Sequence, residues 1–307
     1  DITAKRIISC LSNHQLTYDD NDKEYRLIFD HMIQKQTNHL LNEIKNSKDL
    51  ENKIIGCTAI ILTGLCYKIN KNYLEIGLSF LKKITVSSID NQGFTRSRSI
   101  KQLIFFLKYF VLIREWFKEA QVEVPDHIEE NIYYFGQGYA FIRQNIATDL
   151  LFNGNNNSNT YDLDNYLKRL GYKFKNENKD YGGYIILKNK KICLAMDAGS
   201  SPNSKYTHDY QSGALSFEII SNGKKLITNC GYYKKNNQNL NEISKSSAVH
   251  STLIIDDNSS CKFTKKKDKL ILKTGLKITQ KNSVCEKNYW KINAAHDGYF
   301  KKFKSIH

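Results

Sequence analysis

Apolar residues in the first half of the chain recur at steps of three and four. Tyr25, Phe29, Met32, Ile33, Leu40, Leu41 and Ile44 line one side of a helix at that step. The next run, from Ile54 to Leu65, is apolar almost all round and carries Gly56, Ala59 and Gly64. That pattern predicts a helix buried on most sides, whose small residues let a neighbour come close. Further helical runs extend from Tyr73 to Ile84, from Ile100 to Phe117 and from Ile128 to Phe141. The last begins just after Pro125, with Asp126 and Glu129 placed to meet the positive end of the helix dipole. Successive helices with short connectors predict antiparallel hairpins wound into an all-helical array.

The tract Asn153-Gly154-Asn155-Asn156-Asn157-Ser158-Asn159 ends this regime and reads as a loop. After one short helix from Leu163 to Leu170, the period drops to two. Tyr184 to Leu187, Ile192 to Met196, Leu215 to Ile220, Leu226 to Thr228 and Thr252 to Ile255 are strand-like. Asn189, Asn222-Gly223 and Asp256-Asp257-Asn258 supply turns between and after them. Short, closely spaced strands predict an antiparallel β-sandwich. The expected class is α+β and multidomain, with a helical domain over 1–155 and a β domain over 156–307.

Composition narrows the class without naming a function. A chain of 307 residues suggests two domains at about 150 residues each and needs no disulfide or metal staple to fold. With 40% hydrophobic and 25% charged residues, wholesale disorder is excluded. No apolar run is long enough for a membrane-spanning helix. The chain opens at Asp1 without a methionine or a leader-like segment and stops at Ser305-Ile306-His307 within strand-like sequence, so both ends read as cut.

The 46 lysines and arginines against 31 acids give a net charge of +15. That excess favours polyanionic partners, namely acidic polysaccharide, nucleic acid or an anionic membrane face. The lysines are scattered, apart from Lys265-Lys266-Lys267, which fits ordinary solvated positions equally well. Nucleic-acid binding rests on charge alone, because no zinc-finger, RNP-like or Gly-x-x-Gly signature is present. The seven cysteines are odd in number and form no Cys-x-x-Cys pair, against a disulfide framework or zinc ribbon. Cys57, Cys66 and Cys193 lie in apolar runs, where cysteine acts as a small hydrophobe.

Three polar clusters are candidates for chemistry. The first runs from Asp90 to Arg98 between two apolar helices and holds Gln92, Arg96 and Arg98. Two arginines in such a turn suit bidentate binding of a carboxylate or sulfate; a solvated, capped helix entrance is the alternative. The second runs from His208 to Glu218. His208 at a strand mouth suits acid–base work because imidazole titrates near neutrality, although loop histidines are commonly surface residues. The third runs from Ser246 to Leu253. His250 there suits a metal ligand, a catalytic group or a buried histidine satisfied by backbone, and the lack of a second ligand at fixed spacing favours the last.

Together these stretches resemble the heparinase II/III-like family of polysaccharide lyases, especially its alphaproteobacterial members. The similar segments are Asp90 to Ser99, Phe152-Asn153-Gly154, Asp197-Ala198-Gly199, Gln211 to Glu218, Asn229-Cys230-Gly231, Ala248 to Asp257 and His296-Asp297-Gly298-Tyr299. The resemblance implies an incomplete (α/α) toroid followed by an antiparallel β-sandwich, and β-elimination of a uronic-acid polysaccharide. In that reaction a base removes the C5 proton and the 4-linked oxygen departs, leaving a C4–C5 double bond. The enzyme must also stabilise the charge developing on the carboxylate.

Carried over residue by residue, the resemblance makes Asn52 the carboxylate neutraliser, with Lys53 where the family has histidine. Asn38-His39 spells the family's Asn-His pair, but its place on an earlier amphipathic helix makes it a decoy. Arg96 and Arg98 fall where characterised lyases carry a glutamate and then a catalytic tyrosine. The expected catalytic set is therefore Asn52, Arg96, His208, Tyr210 and Tyr299, with Gln92, Arg98 and Asn153 binding substrate.

The family's structural metal, commonly zinc, is held by two histidines and an aspartate; Gln211, Asn229 and His250 occupy those positions here. Amide oxygens serve zinc poorly, so a hydrogen-bonded Gln211–Asn229–His250 cluster is expected in its place, with no cofactor required. The expected partner is an acidic polysaccharide, not nucleic acid, and no membrane span is expected. The alternative is a non-catalytic acidic-glycan-binding protein of the same fold. The resemblance implies a periplasmic location, while abundant free cysteine would suit the cytoplasm.

Overall fold

The computed structural model describes residues 1–67, 71–143, 146, 148–156, 161–233, 238–266, 269–287, 289–304 and 306–307. Asn157, Ser158 and Asn159 of the asparagine-rich tract, and Lys267 of the lysine run, lie outside the described residues. Seven helices come first: α1 (Ile2–Ser12), α2 (Lys23–Glu43), α3 (Leu50–Cys66), α4 (Lys71–Ser88), α5 (Ile100–Glu119), α6 (Asp126–Arg143) and α7 (Tyr161–Arg169). Antiparallel sheets follow, so the order expected from the two periods holds. The chain divides into two compact units, Asp1–Ser88 with Phe105–Tyr133, and Ile89–Ile104 with Tyr134–His307. The sequence boundary at 155 marks the change of period; the compact units part within α5 and α6 instead.

In the first unit, α3 is the buried centre, with every residue from Ile54 to Leu65 buried. Asp49 caps it by accepting from the Glu51 and Asn52 backbone N–H groups. Its small residues do what the pattern implied: a Cβ on Gly64 would lie 2.5 Å from the Leu74 nitrogen of α4. Helix α1 was not anticipated, although Ala4, Ile7 and Leu11 repeat at helical steps and are its buried residues. No helix among the described residues is long and apolar enough to cross a membrane.

The second unit carries a five-stranded antiparallel sheet in sequence order, β1 (Asp180–Tyr181), β2 (Tyr184–Lys188), β3 (Ile192–Asp197), β4 (Phe217–Ser221) and β5 (Lys224–Ile227). Two hairpins follow, β6 (Lys262–Lys266) with β7 (Lys269–Thr274) and β8 (Ile278–Cys285) with β9 (Trp290–His296). Ile278, Cys285, Trp290, Ile292 and Ala294 of the β8–β9 hairpin pack on Ile185, Leu187, Ala198 and Leu215, giving the sheet a second layer. That contact between inner faces is the packing rule of a β-sandwich.

The strand expected from Thr252 to Ile255 is absent. Only Ile255 forms a bridge, with Asn258 across a tight turn, and Asp256 and Asp257 there adopt φ of 50° and 53°. That turn closes on itself rather than extending the sheet.

Candidate functional site

The three polar clusters of the sequence meet in the second unit. Arg98, in the left-handed region at φ 58°, sends its guanidinium inward to donate to the Gly199 carbonyl at 2.8 Å, the Gly183 carbonyl at 3.0 Å and the Asp197 carboxylate. Gly199 leaves room for it, since a Cβ there would sit 2.3 Å from the Arg98 Cζ. Asn153, also at positive φ, donates through Nδ2 to Asp197 and to the Tyr184 hydroxyl, both at 2.8 Å, and accepts from the Gln211 N–H through Oδ1.

These two residues, expected to bind substrate, are thus buried and committed to the protein itself. A buried charge needs a partner at hand, and Arg98 and Asp197 meet that need for each other. The third expected substrate binder, Gln92, is exposed; its side-chain oxygen faces the Gly182 N–H at 3.4 Å.

Asp209 lies at the junction. Its carboxylate reaches the Ser99 hydroxyl at 3.5 Å and the His208 Nδ1 at 2.7 Å. Gly154, at φ +86°, is where the chain passes closest; a Cβ there would come within 2.5 Å of the Asp209 Cβ and 2.9 Å of the Ser99 Oγ. The Asp209 side chain is 8% exposed and that of His208 is 49% exposed. A buried carboxylate on Nδ1 favours the tautomer with hydrogen at Nδ1, which leaves the Nε2 lone pair for an incoming proton. Arg96 lies in the same turn as Arg98 but is exposed.

Lys245 holds the His208 segment from behind. Its buried ammonium donates to the His208 carbonyl at 2.7 Å and the Tyr210 carbonyl at 3.0 Å, over the rings of Tyr232 and Phe263. Burial pulls its pKa down to about 8, against the opposing pull of Asp209.

Tyr210 and Tyr299, expected to move protons, are core residues. Tyr210 packs with Ala214, Cys261, Leu272 and Leu276, and burial raises its pKa well above the ordinary value. The Tyr299 hydroxyl donates to the Leu253 carbonyl at 2.7 Å, and burial raises its pKa too. With Asp209 and Gln211 beside Tyr210 and Gly298 beside Tyr299, both look like loop residues in sequence, and only the tertiary contacts show the rings filling a core. Asn52 belongs to the first unit, half-buried in the first turn of α3.

The donor set at the expected metal position suits hydrogen bonding better than zinc. Gln211 donates through Nε2 to the carbonyls of Ser244 at 2.7 Å and Gly231 at 2.9 Å. His250 Nε2 meets the same Ser244 carbonyl at 3.2 Å, and burial lowers its pKa. Asn229 accepts from the Ser251 N–H at 3.0 Å, while its Nδ2 is buried without a partner. Gln211 and His250 therefore meet at the Ser244 carbonyl while Asn229 bonds to Ser251, and two amides with one imidazole fit zinc poorly. No group of three or more His, Cys, Asp or Glu positioned for a metal occurs among the described residues.

Sequence reasoning assigned no role to Asp209, Lys245 or Ser99. Asp209 was visible as the neighbour of His208, but nothing in the serine-flanked run around Lys245 marks a buried ammonium. Glu218 of the Leu-Ser-Phe-Glu stretch has a structural task, accepting from the Asn229 N–H at 2.9 Å and from Lys225 at 3.0 Å.

A family profile described as "Heparinase II/III-like, C-terminal" matches residues 176–307. Over that C-terminal part the chain is similar to the heparinase II/III-like family. The match takes in His208, Asp209, Gln211, Asn229, Lys245 and His250, whereas Ser99 and Gly154 precede it.

Among solved structures, a heparinase III gene product with methylated lysines superposes with a TM-score of 0.73 at 14% identity, covering 97% of this chain and 49% of that one. A second heparinase III matches at 0.68 and 15%, covering 96% and 52%. A mutant of the heparan sulfate lyase HepC from Pedobacter heparinus matches at 0.69 and 12%, covering 96% and 51%. At such identities the likeness is one of fold, and the chain spans about half the length of the structures it matches. A search of curated proteins finds no match.

Proposed function

We propose that this chain carries the acid–base group of a polysaccharide lyase that cleaves uronic-acid polymers by β-elimination. The observation supporting it is the His208–Asp209 pair, a half-exposed imidazole held by a buried carboxylate at 2.7 Å where the polar clusters converge. In this reading Nε2 of His208 takes the C5 proton of the uronate. The released electron pair forms the C4–C5 double bond, the C4–O4 bond breaks, and O4 leaves with a proton supplied from solvent or the protonated imidazole. Asp209 steadies the imidazolium, and the exposed Arg96 offers a guanidinium to the acidic groups of the polymer.

The test is incubation with a panel of uronate polymers while following the ultraviolet absorbance of the new double bond. Absorbance in the parent, lost by at least a hundredfold in His208→Ala and Asp209→Asn with folding intact, is the expected result. Undiminished elimination by His208→Ala removes this residue from the chemistry.

The burial of Tyr210 and Tyr299 favours a second reading, a glycan-binding protein that retains the lyase fold. Polymer binding without absorbance in the parent would select it.

A further inference from the structure

Helices α6 and α7 and the extended stretch after them border a groove of about 540 Å³ that shares no residue with the His208 site. Its walls are tied down. Arg143 of α6 donates to Asp149 at 3.1 Å and to Asp164 of α7 at 2.6 Å, and Asp164 also accepts from the Tyr139 hydroxyl. Asn176 donates to the Gln137 carbonyl at 3.1 Å. Phe174 lies so close over Gly136 that a Cβ there would come within 2.1 Å of its ring.

Along the stretch the exposure alternates. Tyr172, Phe174 and Asn176 are half-buried, while Lys173 and Lys175 are exposed. With that alternation, Lys173 and Lys175 both line the groove's exposed rim. Lys168 of α7, also exposed, lines the groove with them. Asp149 and Asp164 are engaged by Arg143, and the exposed Glu177 is the other carboxylate of the lining, set against Lys168, Lys173, Lys175 and Lys188, so the groove's balance of charge is positive.

We propose that this groove is a second, non-catalytic binding site for a sulfated or uronate-bearing glycan chain. It rests on the reading that the protein's polymer is an acidic polysaccharide, and adds a place where the chain is held away from the His208 site. A volume of this size suits a short oligosaccharide segment. Repeating anions along a linear sugar chain match a row of ammonium groups on a fixed rim. Stacked nucleobases need open ring faces, whereas here Tyr172 and Phe174 lie 5.7 Å apart at 32° and Phe174 covers Gly136. That arrangement favours a glycan over a single-stranded nucleic acid.

The experiment measures binding of long-chain heparin to the full chain across a salt series, for the parent, for Lys168→Ala/Lys173→Ala/Lys175→Ala, and for a control triple, Lys224→Ala/Lys262→Ala/Lys301→Ala. The groove triple is expected to lose affinity by roughly tenfold, the size of three exposed charge contacts together, and to show a shallower salt dependence. The control triple should bind like the parent. Elimination of a short uronate oligosaccharide, where the parent shows it, should be unchanged in the groove triple.

Equal loss in both triples, no loss in the groove triple, or no heparin binding by the parent overturns the proposal. So does groove-dependent binding of single-stranded poly(U) RNA as tight as that of heparin. Groove-dependent heparin binding by a parent that performs no elimination would leave this site standing and remove the catalytic reading alone.

Discussion

In the helical unit, Thr37, Thr58, Thr63 and Thr85 each donate a hydroxyl to the carbonyl four residues back. In the sheet-bearing unit, Arg98 reaches Asp197, Asn153 reaches Asp197 and Lys245 reaches His208 and Tyr210, all over long stretches of sequence. The first kind of bond is spent locally on a helix that would form anyway. The second kind decides which loops meet. Local bonding tolerates change, because the carbonyl keeps its helical partner. Nonlocal bonding leaves a buried charge or carbonyl bare when one member goes.

Substitutions that break each kind should separate the two units. Removing one half of the buried pair, in Arg98→Ala or Asp197→Ala, should have the largest effect, a loss of about 3–5 kcal/mol in urea unfolding. Gly154→Ala should follow at about 2–4 kcal/mol, since it combines a left-handed backbone with a methyl against Asp209. It should also reduce any elimination activity, because Asp209 must shift and carry His208 with it.

Lys245→Met should cost about 2 kcal/mol through the two carbonyls left without their donor. It also sharpens the comparison through pH. The folded pKa of Lys245 is about 8, below the unfolded value near 10.5, so between those values the unfolded chain holds more protons. Stability from this group therefore rises with pH from about 8 to 10.5, and a melting-temperature series should show that rise in the parent and a flatter profile in Lys245→Met. Thr58→Val should have the smallest effect, within about 1 kcal/mol. A large loss there would put the helical unit under the same rule as the other.

Much of the helical half was legible because helix formation and burial repeat every few residues. Asp49 and Asp22 as caps, the all-round burial of α3 and the tight approach at Gly64 all lie within reach of a local pattern. The candidate site was legible only as a set of segments. His208 and Arg96 are exposed to some degree and chemically recognisable, but Tyr210, Tyr299, Arg98 and Asn153, equally recognisable by residue type, face inward. Residue type gives chemistry, and burial decides whether that chemistry is offered to a ligand or used within the fold. Lys245 is the opposite case, a residue type at home in solvent that packing has placed beneath the histidine.

What the amino-acid order determined unaided was the succession of periods, three-to-four and then two, and with it helices before antiparallel strands. What only the tertiary structure decided was that Asp209 stands behind His208, that Arg98 is spent on Asp197, and that the Thr252–Ile255 run turns instead of pairing. Periodicity acts between near neighbours and can be read one turn at a time. The choice of a buried partner is settled by whichever distant group satisfies charge and hydrogen bond at the lowest cost in desolvation, and that is known only once the chain has closed on itself.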